Sequence, residues 1–197
     1  MSNQTQSAAA LQAELTSFEA LENFAPLVLL RTMQRMGVAR TAGERYTFDG
    51  LKVQLGVVPK YERLYAALLA IMQQAGYLTA DLTTTAAITE VQSTLDALAQ
   101  QNESLKHTHP KLKPHFHFQW TCVEALPDIM QGKVLATDVM FPGGSMVLVG
   151  PIYQGSQLSD YFSRMAALGV KSYVEQRVPT LQSGETIRII EVGAGTG

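Results

Sequence analysis

The last seven residues, Glu191-Val192-Gly193-Ala194-Gly195-Thr196-Gly197, form a pattern that can do chemistry. Three alternating glycines remove the Cβ atoms that hold a ligand away from backbone N–H groups. Fed by a strand and followed by a helix, such a loop cradles a nucleotide-like or carboxylate-bearing group. The order here is E-x-G-x-G-x-G, whereas dinucleotide sites read G-x-G-x-x-G. Glu191, Gly193, Ala194, Gly195, Thr196 and Gly197 are therefore the candidate ligand loop. A second cluster is "KHTHPKLKPHFHF", with His107, His109, His115 and His117 inside eleven residues, a density that invites metal ligation. The spacing opposes it. An i, i+2 pair points to opposite sides of a strand, or about 200° apart on a helix. Pro110 and Pro114 also interrupt the segment, and no acidic ligand is adjacent. No metal is assigned, and solvated histidines flanking a helix start are expected. Cys122 would be a nucleophile only beside a base in an electropositive setting, and it reads as a small apolar core residue. Tyr61 and Tyr65, next to Arg63, have the spacing of a helix covering a core.

The elements that must position these residues are mostly helices. "LENFAPLVLLRTMQRMG" puts Leu21, Phe24, Leu27, Val28, Leu30 and Met33 on one broad face, with Gly37 at its C-terminal stop. Residues 1 to 16 read as a frayed or loosely docked helix, and "VARTAGERYTFDGLKVQLGVV" as loop and short extended pieces. "PKYERLYAALLAIMQQAGYL" opens with Pro59 and closes with Gly76, turning Tyr61, Leu64, Leu68, Ile71 and Met72 inward. A third helix, "ITEVQSTLDALAQQNESL", has Thr89 as its candidate cap and Val91, Leu95 and Leu98 toward the core. A fourth runs from Pro114 to Gly132 through Trp120, Val123, Leu126 and Ile129. "MFPGGSMVLVGPIY" is turn-rich, and "QLSDYFSRMAALGVKSYVEQRV" is helical despite Gly169. "TIRIIEV" is a β-branched run expected to form a buried parallel strand leading into the loop.

Composition sets the outer bounds. The 197 residues are 46% hydrophobic with a formal charge of −2, the profile of an ordinary globular protein. The Lys and Arg residues are scattered, which excludes a basic field for nucleic acid. A single cysteine rules out an intrachain disulfide and a cysteine-rich zinc site, and fits a reducing, cytoplasmic setting. No stretch reaches the roughly 18 uninterrupted apolar residues of a membrane span, and the start "MSNQTQSAAALQAEL" lacks the features of a signal peptide.

Upstream of the expected strand, "MFPGGSMVLVGPIYQGSQLSDYFSRM" resembles the "LFPGGS…YxxS…YF/YN" stretch of C-methyltransferase domains in modular polyketide synthases. "HPKLKPHFHFQWTCVEALPDIMQGKVLATDVMFPGG" is similar to that family's helix ending in a cysteine, its "Lxx(I/V)(L/M)xGK" turn and its "DxxFPGG" entry. "YERLYAALLAIMQQAGYL" resembles its lid helix, and E-x-G-x-G-x-G resembles the first motif of class I methyltransferases. The resemblance covers most of residues 20 to 197.

The resemblance implies a mainly α chain: a helical lid domain followed by the first helix and strand of a Rossmann-like α/β methyltransferase core. It divides into an N-terminal flexible stretch (1–20), a lid that covers substrate (21–140), and a connection with the start of the core (141–197). The implied cofactor is S-adenosylmethionine, bound by the full-length domain, with loop N–H groups facing its methionine carboxylate. Tyr153, Tyr161 and Phe162 line the cofactor and substrate cleft by the same resemblance, or pack lid against core. The implied partners are an acyl carrier protein with a phosphopantetheine-bound substrate and neighbouring synthase domains, with no nucleic acid and no membrane. The family's base and its orienter lie beyond the glycine-rich motif, so no catalytic residue is assigned and the 197 residues alone are expected to be inactive. Three accounts of the chain's extent stay open: a core cut away, one piece of a longer polypeptide, or a protein keeping only the non-catalytic half. The alternative function is a non-catalytic adaptor region of a synthase loading module. A weaker one is the dimerisation domain of a small-molecule O-methyltransferase.

Overall fold

The first element is helix α1 (Ser2–Arg35). The computed structural model describes residues 2–153 and 157–192, and side chains over 12–153 and 160–192. After α1 come α2 (Phe48–Leu55), α3 (Glu62–Gln74), three short pieces α4 (Ala87–Glu90), α5 (Gln92–Asp96) and α6 (Leu98–Thr108), and then α7 (Lys113–Glu124) and α8 (Leu126–Met130). They are followed by α9 (Ala136–Met140), α10 (Gly150–Tyr153) and the long α11 (Gln157–Arg177). Helix α1 packs against α3, α5, α6, α7 and α11, and α7 in turn carries α8, α9 and α10. Among the described residues there is no strand, only isolated bridges Arg45–Thr83 and Leu78–Thr84. The mainly α class implied by the resemblance is the one observed.

The core lies where α1 meets α3, α6 and α7. Phe24, Val28, Leu30 and Met33 of α1 are buried, as the helical spacing requires, and Leu21 and Leu27 are packed at its margin. Phe24 stands edge-on to Phe116 (centroids 5.9 Å apart) and stacks on Trp120 (6.2 Å). The Arg31 guanidinium lies 5.0 Å from the Trp120 ring centroid and 3.3 Å from Glu124, which also pairs with Arg35. Charge thus seals the solvent side of the aromatic seam.

Five expectations are corrected. Residues 48–55 are helical: the Thr47 hydroxyl accepts from the Gly50 N–H at the N-cap, and Leu51 and Leu55 are buried while Val53 is 78% exposed. In α3 Leu68 and Met72 are buried and Leu64 packs at the margin as expected, but Tyr65 and Leu69 join them and Ile71 is exposed. Thr89 lies inside α4, the expected third helix is broken at Val91 and Ala97, and the expected fourth is broken at Ala125. The strand expected over 187–192 is not formed. Strand pairing needs a second extended segment to exchange N–H and C=O groups, and none lies beside it among the described residues.

One joint ties distant segments. The Val58 N–H donates to Met130 O (2.9 Å), and Gln131 Nε2 donates to Leu55 O (3.3 Å) across 76 positions. Gly56 (φ +69°) and Gly132 (φ +72°) adopt the left-handed region here. A Cβ on Gly56 would meet the Gln131 side chain at 3.2 Å, and one on Gly132 would meet Val58 at 3.3 Å.

Buried phenols give a testable pH dependence. Burial pushes Tyr65 up to about 12, aided by Asp49. Burial and the bond to Glu44 push Tyr46 up to about 12. The Tyr65 hydroxyl donates to Phe48 O (2.9 Å), and that of Tyr46 accepts from the Ala39 N–H (2.9 Å). Between the ordinary value of 10 and about 12 the unfolded chain has released protons that the folded one keeps. Stability is therefore full below pH 10 and is lost as pH rises toward 12. Urea midpoints measured from pH 8 to 11.5 should fall above 10. A midpoint that stays flat would show that these phenols ionise freely in the fold.

Candidate functional site

The residues expected to act share the C-terminal part of the chain. Tyr153 ends α10 and is 56% exposed; Tyr161 and Phe162 enter α11 with rings 5.5 Å apart, edge to face, and are 48% and 61% exposed. Glu191 follows a stretch without regular secondary structure and is exposed. Gly193, Ala194, Gly195, Thr196 and Gly197 lie outside the described residues.

Their neighbours in the chain are exposed and rich in apolar side chains. Every side chain over 160–173 is exposed. On α11, Tyr161, Met165 and Leu168 stand at i, i+4 and i+7 on one stripe, and Phe162 and Tyr173, about three turns apart, form the stripe beside it. Ile189, Ile190 and Val192 add apolar surface after the helix. Eleven of the nineteen large apolar side chains exposed among the described residues fall between 153 and 192. So many large apolar side chains exposed along one stretch suit a surface that is covered by another element or chain.

The histidines separate by environment. His109 Nδ1 lies 3.0 Å from Ser17 Oγ, and His115 stands edge-on to Phe18. Burial pulls the His115 imidazole below its ordinary value, opposed by Glu14. His117 lines a surface pocket with Lys106 and Lys113. No three His, Cys, Asp or Glu side chains converge among the described residues. Cys122 is half-buried, and burial pushes its thiol up, away from the thiolate that a nucleophile needs. Two of the lysines, Lys106 and Lys113, share this pocket, while the others stay scattered as expected. The signal available in the sequence was the absence of Asp and Glu from 104 to 123.

No family model matches the sequence. Its curated relatives include polyketide synthase PksM of Bacillus subtilis (strain 168), 48% identical over 75 residues, and PksR of the same organism, 43% over 77. These matches span 38% and 39% of this chain but only 2% and 3% of the relatives. Polyketide synthase ThaG of Burkholderia thailandensis is 41% identical over 83 residues, 40% of this chain and 1% of its own length. Among solved structures, the DszA carbon methyltransferase superposes with a TM-score of 0.77 at 35% identity, over 91% of this chain and 46% of that one. The CurJ carbon methyltransferase gives 0.75 over 98% and 52%, at 21% identity, a likeness of fold alone.

The fold is that of part of a carbon methyltransferase, and the chain spans about half the length of the two such structures it matches. More particularly, its sequence relatives are segments of polyketide synthases, as the "FPGG" and E-x-G-x-G-x-G resemblance implied. No helix among the described residues is long and apolar enough to cross a membrane.

Proposed function

We propose that this chain is the helical lid and cofactor-entry segment of a polyketide synthase C-methyltransferase, which methylates the α carbon of an acyl group held on a carrier protein. The observation that carries this reading is the exposure of the apolar side chains of α11 and of 189–192, the segments that lead in sequence into E-x-G-x-G-x-G. An α/β core packed there would bury Ile189 and Ile190 as strand residues and leave Tyr153, Tyr161 and Phe162 along the seam. The loop would hold S-adenosylmethionine, with Glu191 and the backbone of 193–197 as its donors and acceptors. That cofactor, when bound, supplies an electrophilic methyl group.

The chain's own residues bind, shape and exclude water. Alternating glycines let the backbone approach the ligand, and its N–H groups face a carboxylate. The aromatic seam, once covered, keeps water from the reacting carbon. An acidic carbon flanked by carbonyls gives up its proton to a base and then attacks in line. This chain is assigned the positioning and not the proton transfer.

Titrating the natural full-length polypeptide with S-adenosylmethionine tests the reading. Binding with a dissociation constant of about 100 μM or tighter is expected, some 5 kcal/mol of affinity or more. Silence at about ten times that concentration would replace it with the adaptor reading, in which the same exposed apolar side chains dock a neighbouring synthase domain.

A further inference from the structure

The basic segment that joins α6 to α7 has no part in the methyl transfer described above. From 104 to 123 the chain carries Lys106, Lys111, Lys113 and all four histidines, with no carboxylate. A 3₁₀ turn, Pro110–Leu112, folds α6 back toward α7. It brings Lys106 of one helix and Lys113 and His117 of the other to a single pocket of about 370 Å³. Glu103 is the one acid in its lining, and it is occupied by Lys106, whose ammonium lies 2.7 Å away and holds the Glu103 carboxyl below its usual range. Lys113, exposed, adds a second positive charge, which also helps to hold the Glu103 carboxyl down. Lys113 and Pro114 are also the first residues of α7, so the positive end of that helix lies at the same place.

The opposite wall has a different character. Val147, Leu148 and Pro151 close the pocket with carbon, and Val147 is 69% exposed. A solvated surface has no need of a bare valine in the same lining as two ammonium groups. A ligand with an anionic head and a short branched apolar body would satisfy both walls. Lysines on separate helices with an imidazole in the same lining suit an anion with oxygens in several directions. That is a phosphate, which ammonium groups hold as point charges, more than a planar carboxylate, which favours the arginine fork. The volume lies near the low end of the roughly 300–1,000 Å³ range of small-molecule sites.

We propose that this pocket takes a phosphate ester whose alkyl portion lies on Val147, Leu148 and Pro151. Resting on the function proposed above, the ester is the phosphopantetheine arm of the carrier protein, gripped on the lid outside the reacting cleft. The arm's phosphodiester meets Lys113 and Lys106, and the methyl-bearing carbons beside it meet the apolar wall.

The test is direct binding to the full-length chain without cofactor, by calorimetry, using pantetheine 4′-phosphate, pantetheine and inorganic phosphate as probes. Pantetheine 4′-phosphate should bind at least about tenfold tighter than either of the others. Lys113→Glu should erase its advantage over pantetheine, and Val147→Asp its advantage over inorganic phosphate. Both positions are exposed, so unchanged urea midpoints confirm that the variants fold. Equal affinity for pantetheine and its phosphate overturns the pocket, and inorganic phosphate binding as tightly as the ester overturns the arm. A chain that binds S-adenosylmethionine but not pantetheine 4′-phosphate keeps the methyltransferase reading and loses this one. A chain that binds pantetheine 4′-phosphate but not S-adenosylmethionine keeps the pocket and makes the chain a carrier-protein adaptor.

Discussion

Phe116→Ala should cost the fold about 3–5 kcal/mol, the range for removing a fully buried aromatic ring. Phe116 is 0% exposed, its ring meets Phe24 at 5.9 Å and His109 at 6.2 Å, and it lies where α7 packs on α1. Removing the ring forfeits its transfer energy. It also leaves a void between two helices whose other contacts, Phe24 with Trp120 and Arg31 with Glu124, prevent collapse. Chemical denaturation reads the effect as a lowered midpoint at unchanged slope. Val53→Ala, at a side chain 78% exposed, is the control and should stay within about 0.5 kcal/mol. If the two variants lose similar stability, the α1–α7 seam is not the centre of the core.

Gly193→Val in the full-length chain should lower S-adenosylmethionine affinity at least about a hundredfold, close to 3 kcal/mol. The reason is steric. A branched Cβ occupies the space through which the backbone approaches the ligand, and valine also resists the turn that an alternating-glycine loop makes. Gly193 lies outside the described residues, so the expectation rests on E-x-G-x-G-x-G and its resemblance to a methyltransferase motif. Affinity retained within about twofold would remove the loop from the cofactor site. Thermal stability of the variant, measured without ligand, separates a binding defect from a folding one.

Legibility in the sequence followed how local the cause was. The face of α1 could be read because one long helix repeats its apolar spacing over several turns, so Phe24, Val28, Leu30 and Met33 agree with one another. Residues 48–55 misled because Leu51, Val53 and Leu55 alternate with polar neighbours as a strand would. An eight-residue helix is too short for its own period to outvote that alternation. The Thr47 cap was the better signal. In α3 the expected stripe loses Ile71 and gains Tyr65 and Leu69, because α1 and α2 approach from that side and the Tyr65 hydroxyl reaches Phe48 O. Residues 187–192 carry strand composition, but pairing is a property of two segments, and composition reports only one. The basic pocket was hidden for the same reason: Lys106 and Lys113 become neighbours only after the turn at Pro110.

The joint between α2 and α8 restricts which sequences can keep this fold. Gly56 faces the Gln131 side chain, and Gly132 faces Val58, so each left-handed residue sits against a neighbour of the other. Tolerance at the four positions is therefore correlated. A side chain at 56 or 132 would have to bear the φ penalty and also displace a residue whose own contacts close the opposite turn. Gln131 cannot yield without giving up its bond to Leu55 O, and Val58 cannot yield without disturbing the N–H that meets Met130 O. The four residues will drift together or not at all, so two short helices far apart in the chain behave as one unit of variation.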